Sequence, residues 1–329
     1  MKNFEIVTPT DLAHASRLLA QNDHLAMAGG VDVVDLLKLD LIAPKTLVNL
    51  KGLKELEGIQ VDAKGLRLGA LTKLHEVATH PVILANYTAI AEAAAEAATP
   101  QIRNLGTVGG NILQRPRCWY FRNQDVHCLK KGGDKCYSMG GLNRYNAILG
   151  GGPSYIVHPS NLAPALIAMQ ARARIVGPSG ERMAELEKFF TLPTEDATRE
   201  NSLKPGEVIV EVIVPAPEAG TRSTYIEARE KQSFDWPLAS VATVLTSAQG
   251  SKSIRDCRIV LGAVAPIPWR APIAETIING APVDVARAKR AAEAALKDAQ
   301  PMSDNAYKVV IAKVMVRRAI LRAGGVAEA

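Results

Sequence analysis

Residues 99–161 constrain the chain more tightly than any other stretch, because two glycine-rich turns there bracket three of its four cysteines. The run TPQIRNLGTVGGNILQRPRCWYFRNQDVHCLKKGGDKCYSMGGLNRYNAILGGGPSYIVHPSN sets a candidate anion cradle beside a candidate metal cage. In RNLGTVGGN, Gly106, Gly109 and Gly110 leave the backbone open to close approach, while Thr107 and Asn111 offer hydroxyl and amide hydrogen bonds. That composition suits a backbone closing on a pyrophosphate or a flavin edge. A second glycine pair, Gly29–Gly30, follows the apolar run LAMA; paired glycines after a strand let N–H groups face a ligand, although alone they read as an ordinary tight turn. Neither turn is GxGxxG, and no acidic residue follows a long helix at the required spacing, which argues against a nicotinamide-type Rossmann domain.

Composition narrows the class. At 329 residues with 47% apolar side chains, the chain can fill more than one core. No run of about 18 apolar residues occurs, so no membrane span is expected, and MKNFEIVTPTDLAH lacks a secretory start. Four cysteines are too few for a disulfide scaffold at this length. The net charge of +6 is spread along the chain and only 5% of residues are aromatic, so nucleic acid is not an expected partner.

Read in order, the chain predicts a strand at Phe4–Val7 and a helix capped by Thr8, with Pro9 at its first position and an apolar side of Leu12, Ala15, Leu18 and Leu19. Short strands follow at Thr46–Asn49, Ile59–Val61 and Leu66–Gly69, and then helices over Leu71–His80 and Tyr87–Ala98. Further on come a helix at Leu162–Met169, a hairpin turning at 177–180, and a strand at Val208–Val214 ending on Pro215. After a linker-like PAPEAGTR, Tyr225–Lys231 and Ile254–Gly262 read as strands, and Val283–Ala299 and Asn305–Arg322 as helices. These signals divide the chain into segments 1–58, 59–217 with a Cys-rich insertion at about 115–150, and 218–329.

Four stretches taken together, AGGVDVVDL at 28–36, RNLGTVGGN at 103–111, HPSNLAPAL at 158–166 and LGAVAPIPWRA at 261–271, resemble the FAD-binding medium subunit of the molybdenum hydroxylases. That family includes xanthine dehydrogenase, carbon monoxide dehydrogenase and the aldehyde oxidoreductases. The resemblance implies an α+β fold: a two-subdomain FAD-binding domain of the vanillyl-alcohol oxidase (PCMH) type, followed by an antiparallel sheet covered by helices. It places FAD against Ala28, Gly29, Gly30, Val31 and Asp32, against Gly106, Thr107, Gly109, Gly110 and Asn111, and beside Ser160 and Asn161. Arg229 and Lys231 match basic residues that reach the flavin in relatives. Two positions depart from the family pattern: Val31 stands where threonine is usual, and Asn161 where aspartate is usual. Val31 supplies no hydroxyl, so bonds there fall to backbone N–H groups.

Cys118, Cys128 and Cys136 lie ten and eight residues apart in a stretch without periodicity. A thiol-rich loop lacking its own core needs something to order it; zinc has no CxxC pair to hold it here, and reduced structural thiols are the plain alternative. The segment resembles the insertion of the periplasmic aldehyde oxidoreductase and 4-hydroxybenzoyl-CoA reductase type, where four cysteines hold a 4Fe-4S cluster. Ser154 occupies the position expected for the fourth cysteine. The alternatives are a three-iron cluster or a ligand from elsewhere, such as His127 or His158; Cys257 sits in a strand-like run and is a weak substitute.

No histidine joins a nucleophile and an acid in a recognisable order, so no catalytic residue is expected. The resemblance implies an electron-transfer subunit of a heterotrimer. A large molybdopterin subunit oxidises aldehydes, or a related aromatic or heterocyclic substrate, and a small subunit carries 2Fe-2S centres. The external acceptor is NAD, quinone, ferredoxin or oxygen. A non-enzymatic metal-binding or assembly protein, with zinc or iron-sulfur in the Cys loop, is the alternative. The expected location is the cytoplasm, or the periplasm if a partner subunit's twin-arginine signal carries the chain out folded.

Overall fold

The computed structural model describes residues 1–231 and 234–327; the final two residues of the expected third segment lie outside the described residues. Three sheets, each built from one stretch of the chain, support everything else. The first is parallel and three-stranded, in the order β1 (Glu5–Val7), β3 (Thr46–Asn49), β2 (His24–Met27). Its crossovers are the helices α1 (Leu12–Leu19) and α2 (Val31–Lys38), as parallel pairing requires. The cap of α1 is Asp11 rather than Thr8: the Asp11 carboxylate accepts from the His14 N–H at 2.7 Å, so the helix starts later than the Thr-Pro signal predicts.

The middle sheet is antiparallel, ordered β4 (Ile59–Asp62), β5 (Gly65–Gly69), β8 (Val208–Pro215), β6 (Arg172–Gly177), β7 (Gly180–Glu185). Between β5 and β6 the chain makes α3 (Leu74–Thr79), α4 (Pro81–Asn86), α5 (Thr88–Glu96), α6 (Pro100–Arg103), α7 (Val108–Leu113) and, after the insertion, α8 (Leu162–Ala168). Alanines 89, 91, 93 and 94 of α5 are buried in one core with Leu162, Leu166 and Ile209, so small side chains bring the helices close to the sheet.

The C-terminal sheet runs β12 (Trp269–Arg270), β11 (Ile254–Gly262), β10 (Ala239–Ser247), β9 (Thr221–Ala228), all antiparallel. The central strand β10 is buried along eight of its nine residues, because both faces are covered. Ala242 and Val244 enter the core of the middle region, while Ala239, Val241 and Leu245 enter a second core with α9 (Pro272–Ile278), α10 (Val285–Ala295) and α11 (Tyr307–Gly324). The period-two alternation thus divides one apolar strand between two cores. Helices α9–α11 cover one side of this sheet and α5 and α8 the other. Strand β9 ends at Ala228, short of the predicted Lys231.

The insertion has only two short 3-10 turns, Leu129–Lys131 and Tyr137–Met139. Its end is fastened to α11, where the buried Lys308 Nζ donates to the carbonyls of Ala263 (2.7 Å), Asn146 (3.1 Å) and Tyr145 (3.3 Å). Among the described residues no helix is long and apolar enough to cross a membrane.

Replacing Lys308 with alanine removes the donor that three carbonyls share and opens a hole at a buried position, so Lys308→Ala should destabilise the fold by about 3 kcal/mol or more. Chemical denaturation of the two proteins checks this, and an unchanged midpoint would contradict the assignment of Lys308 as the fastening.

Candidate functional site

The site begins where β2 ends. Gly30, at φ +78°, turns the chain into α2 and caps it without a side-chain hydrogen bond. The N–H groups of the first turn of α2 therefore have no cap from that side chain and suit an acceptor. Gly29 is required for a different reason: a Cβ there would lie 2.0 Å from the Leu105 carbonyl oxygen. The first turn is thereby pressed directly onto the second glycine loop.

That second loop is strapped to the residues after β5. Gly109 N–H donates to Ala70 O at 2.8 Å, Val108 N–H to Thr72 O at 2.9 Å, and Leu74 N–H to Gly106 O at 3.0 Å. Thr107 caps α7, its hydroxyl accepting from the Gly110 N–H at 3.1 Å. Asn111 carries the connection on to the third motif: its Oδ1 accepts from Ser160 Oγ at 2.6 Å and from the Leu162 N–H at 3.2 Å.

These loops line a cleft of about 770 Å³, within the range of small-molecule and cofactor sites. Ala28, Gly29, Gly30, Val31, Asp32, Gly106, Thr107, Gly109, Gly110, Asn111 and Asn161 all border it. Ser160, Arg229 and Lys231 do not. Ser160 is buried behind Asn111, Arg229 is turned onto Glu227 and Glu96, and Lys231 is exposed. The basic groups facing the cleft come instead from Arg115, Arg117 and Arg199. Sequence reasoning missed them; for Arg115 and Arg117 the clue available was their place in QRPRCWYFR, directly after the glycine loop.

Asp32 stands at the turn where an anion would sit, and three donors offset its charge. Arg117 Nη1 approaches Oδ1 at 2.6 Å and Arg122 Nη2 at 2.8 Å, while the Arg115 N–H donates to Oδ2 at 2.8 Å. Arg122 also pairs with Asp35 at 2.8 Å. Arg115 forks onto Glu200, with Nη2 at 2.9 Å and Nε at 3.1 Å, and Lys130 joins Glu200 at 3.2 Å. Across the cleft, the Arg117 guanidinium lies 4.6 Å from the ring centroid of Trp236.

Asn161 forms the inner wall. Its Nδ2 donates to Glu227 Oε2 at 2.8 Å, and Tyr225 Oη donates to the same oxygen at 2.6 Å. Arg229 Nε is 2.5 Å from Oε1 but is not aligned to donate, and that oxygen has no hydrogen bond among the described residues. Burial pushes the Glu227 carboxyl up to about 7.

The residues present fit FAD. Close-packed backbone turns, uncapped N–H groups, an offset Asp32 and the buried Arg117 Nε, which has no hydrogen-bond partner among the described residues, make a cradle for a diphosphate-bearing ligand. The insertion differs from the expected cage. Cys118, Cys128 and Cys136 are free thiols; Cys128 packs with Leu36 and Phe121 in a small core that Cys118 and Tyr137 touch. Burial pushes the Cys118 thiol up, and Cys136 Sγ lies 3.0 Å from Ser138 Oγ. Among the described residues no three His, Cys, Asp or Glu side chains are gathered closely enough to hold a metal ion. Ser154 is buried. His127 is exposed, and burial pushes His158, edge-on to Phe190 at 4.6 Å, down to about 3. Cys257 belongs to the C-terminal core.

Comparison with known proteins finds relatives over most of the chain. Residues 2–217 match the family described as the FAD binding domain in molybdopterin dehydrogenase, and residues 223–323 match the CO dehydrogenase flavoprotein C-terminal domain. The FAD-binding subunit PaoB of an aldehyde oxidoreductase of Escherichia coli K12 is 33% identical over 291 residues, 87% of each chain. The carbon monoxide dehydrogenase medium chain of Hydrogenophaga pseudoflava is 28% identical and covers 96% of each. A solved structure of that organism's carbon monoxide dehydrogenase, lacking the Mo-pyranopterin moiety, superposes with a TM-score of 0.78 at 28% identity, over 98% of each chain.

Because the folded Glu227 keeps a proton that an unfolded glutamate releases near pH 4.5, its contribution to stability is complete below that pH and is lost as pH rises through about 7. The ligand-free chain should therefore lose up to about 3 kcal/mol from this group between pH 5 and pH 8. Melting wild type and Glu227→Gln across that range checks it: the gap between them should narrow or reverse as pH rises, and parallel curves would refute it.

Proposed function

The chain belongs to the FAD-binding medium subunits of the molybdenum hydroxylases, and from that premise we propose that it carries electrons from the 2Fe-2S centres of a small subunit to an external acceptor while a large molybdopterin subunit oxidises an aldehyde. The observation that carries the FAD reading is the junction of three sequence-distant motifs in one cleft, through Gly29 against the Leu105 carbonyl and Asn111 against Ser160. Aldehydes come first among substrate classes because of the likeness to PaoB over most of the chain.

When bound, FAD supplies a centre that exchanges electrons one or two at a time. This chain's residues would bind and orient it. The turn at Ala28–Asp32 and the loop at Gly106–Asn111 offer backbone N–H groups and the Thr107 hydroxyl to the diphosphate. Arg117 and Arg122 offset Asp32 so that its carboxylate does not repel those phosphates. Asn161, held by Glu227 and Tyr225, fixes the inner wall. Trp236 and Phe234 border the cleft from the C-terminal region. Arg229 and Lys231 act at most through neighbours.

The segments 1–58, 59–217 and 218–329 are proposed as two FAD-binding subdomains and a C-terminal domain. The insertion is proposed to carry a 4Fe-4S cluster on Cys118, Cys128 and Cys136, with Ser154 as the fourth position. Three free thiols within 19 residues, in a loop with almost no core of its own, support it. Assembly requires the thiols to draw together beyond their present spacing. The acceptor is NAD, quinone, ferredoxin or oxygen, and the location is cytoplasmic, or periplasmic by passage with a signal-bearing partner.

Two measurements test these readings. The purified chain should show a flavin spectrum, and Gly29→Ala, whose Cβ would strike the Leu105 carbonyl, should weaken FAD binding at least about tenfold; a wild-type chain that takes up no FAD would overturn the assignment. Iron and sulfide analysis tests the insertion: Ser154→Cys should raise iron content, and equal iron in both proteins would remove Ser154 from the ligand set.

A further inference from the structure

The resemblance placed the cofactor contacts on the glycine turns, Ser160, Asn161, Arg229 and Lys231, and on none of the first residues of the insertion. Arg117 is the exception that the structure brings forward. Its side chain is only 19% exposed. Nη1 is committed to Asp32 at 2.6 Å and stands 3.5 Å from Asp35, and Nη2 donates to Gln114 Oε1 at 3.2 Å. The guanidinium is also held over the Trp236 ring at 4.6 Å. Both ends of the fork are therefore fixed, and the remaining donor is not: Nε is buried, has no hydrogen-bond partner among the described residues, and belongs to a residue that borders the cleft. A buried donor left without an acceptor is unfavourable by a margin that a ligand oxygen would recover.

Its neighbour supplies the contrast. Arg122 shares the carboxylates of Asp32 and Asp35, at 2.8 Å each, but its Nε donates to Pro116 O at 2.8 Å and it does not border the cleft. The two arginines thus serve the same ion pairs, and only Arg117 leaves its Nε–H without an acceptor among the described residues.

We propose that Arg117 is a cofactor-contacting residue, its unpartnered Nε–H donating to an oxygen of bound FAD while Asp32, Gln114 and Trp236 hold the guanidinium in place. The acceptor is either a diphosphate oxygen or a carbonyl oxygen of the flavin ring, and the same contact joins the insertion and the 234–236 segment to an occupied cleft. The proposal rests on the reading that the cleft binds FAD.

Titration of the full-length ligand-free chain, followed by quenching of flavin fluorescence, tests it. Arg117→Gln should raise the FAD dissociation constant about ten- to a hundredfold, the weight of one charge-assisted hydrogen bond. Arg117→Lys, which keeps the charge beside Asp32 but has no Nε–H, should fail to restore it. Arg122→Gln, which removes one of the groups that offset Asp32 but no donor that borders the cleft, should raise it less than Arg117→Gln does; should that variant not fold by circular dichroism, Arg122→Lys replaces it. ADP and riboflavin separate the sources of the oxygen: weakened ADP binding in Arg117→Gln identifies the diphosphate, and weakened riboflavin binding identifies the flavin carbonyl. Equal losses in the Arg117 and Arg122 variants, or full rescue by lysine, would overturn the proposal by reducing Arg117 to a partner of Asp32. A wild-type chain that binds no FAD would instead overturn the underlying reading.

Discussion

The close approach of Gly29 to the Leu105 carbonyl is the contact on which the rest of the cleft depends. A Cβ at that position would stand 2.0 Å from backbone oxygen, so any other residue must push the two turns apart. With glycine in place, the end of β2 rests on the loop that precedes α7, and the loop is itself tied by backbone hydrogen bonds to residues 70–74. Asn111 extends the assembly a further step, since one amide oxygen accepts from both Ser160 and Leu162. Three segments more than 40 residues apart in sequence, at 29, 106–111 and 160–162, become one rigid wall because a small backbone and a doubly used acceptor leave them no independent position.

Charge sets the second constraint. A carboxylate in the first turn of α2 favours the helix but opposes an anionic ligand at the same turn. Asp32 meets both demands because its partners come from elsewhere: two guanidinium groups and the Arg115 N–H, all from the start of the insertion. The insertion therefore belongs to the charge balance of the cleft. It has little core of its own, Phe121 and Cys128 against Leu36 of α2, while Ile148 and Leu149 at its end join the C-terminal core and polar anchors hold both ends. Arg115, Arg117, Arg122 and Lys130 secure one end to Asp32, Asp35 and Glu200; Asn305 and Lys308 of the C-terminal region secure the other. Loop entropy on this scale is overcome by several charge-assisted bonds acting together.

What could be read from sequence followed what is local. Glycine pairs, the HPS stretch and the period-two strands carry their meaning in neighbouring residues, so both loops and two of the four strands of the C-terminal sheet, β9 and β11, were legible. The arginines were not, because their partners lie 83 to 90 positions away and nothing beside them announces Asp32. The same limit explains Arg229: its sequence position matched a flavin-facing residue, yet Glu96 and Glu227, one from α5 and one near the end of β9, turn it aside. The cysteines show the opposite case, a dense local signal whose thiols, among the described residues, are not gathered closely enough to hold a metal ion.

The exchange of aspartate for Asn161 gains meaning from Glu227. A carboxylate at 161 would border the cleft directly, as Asn161 does. Here the neutral amide takes that place and donates inward to Glu227, whose side chain is 3% exposed and whose pKa burial raises to about 7. A negative charge is thereby moved one side chain deeper and half neutralised near physiological pH. Of the five acidic residues that border the cleft, Asp32, Asp35, Glu200 and Glu207 are each paired with an arginine. An anionic diphosphate meets backbone N–H groups, the Thr107 hydroxyl and three arginines, with its nearest carboxylate already occupied. The acidic groups act as anchors that orient Arg117 and Asn161, and the ligand meets the donors they hold.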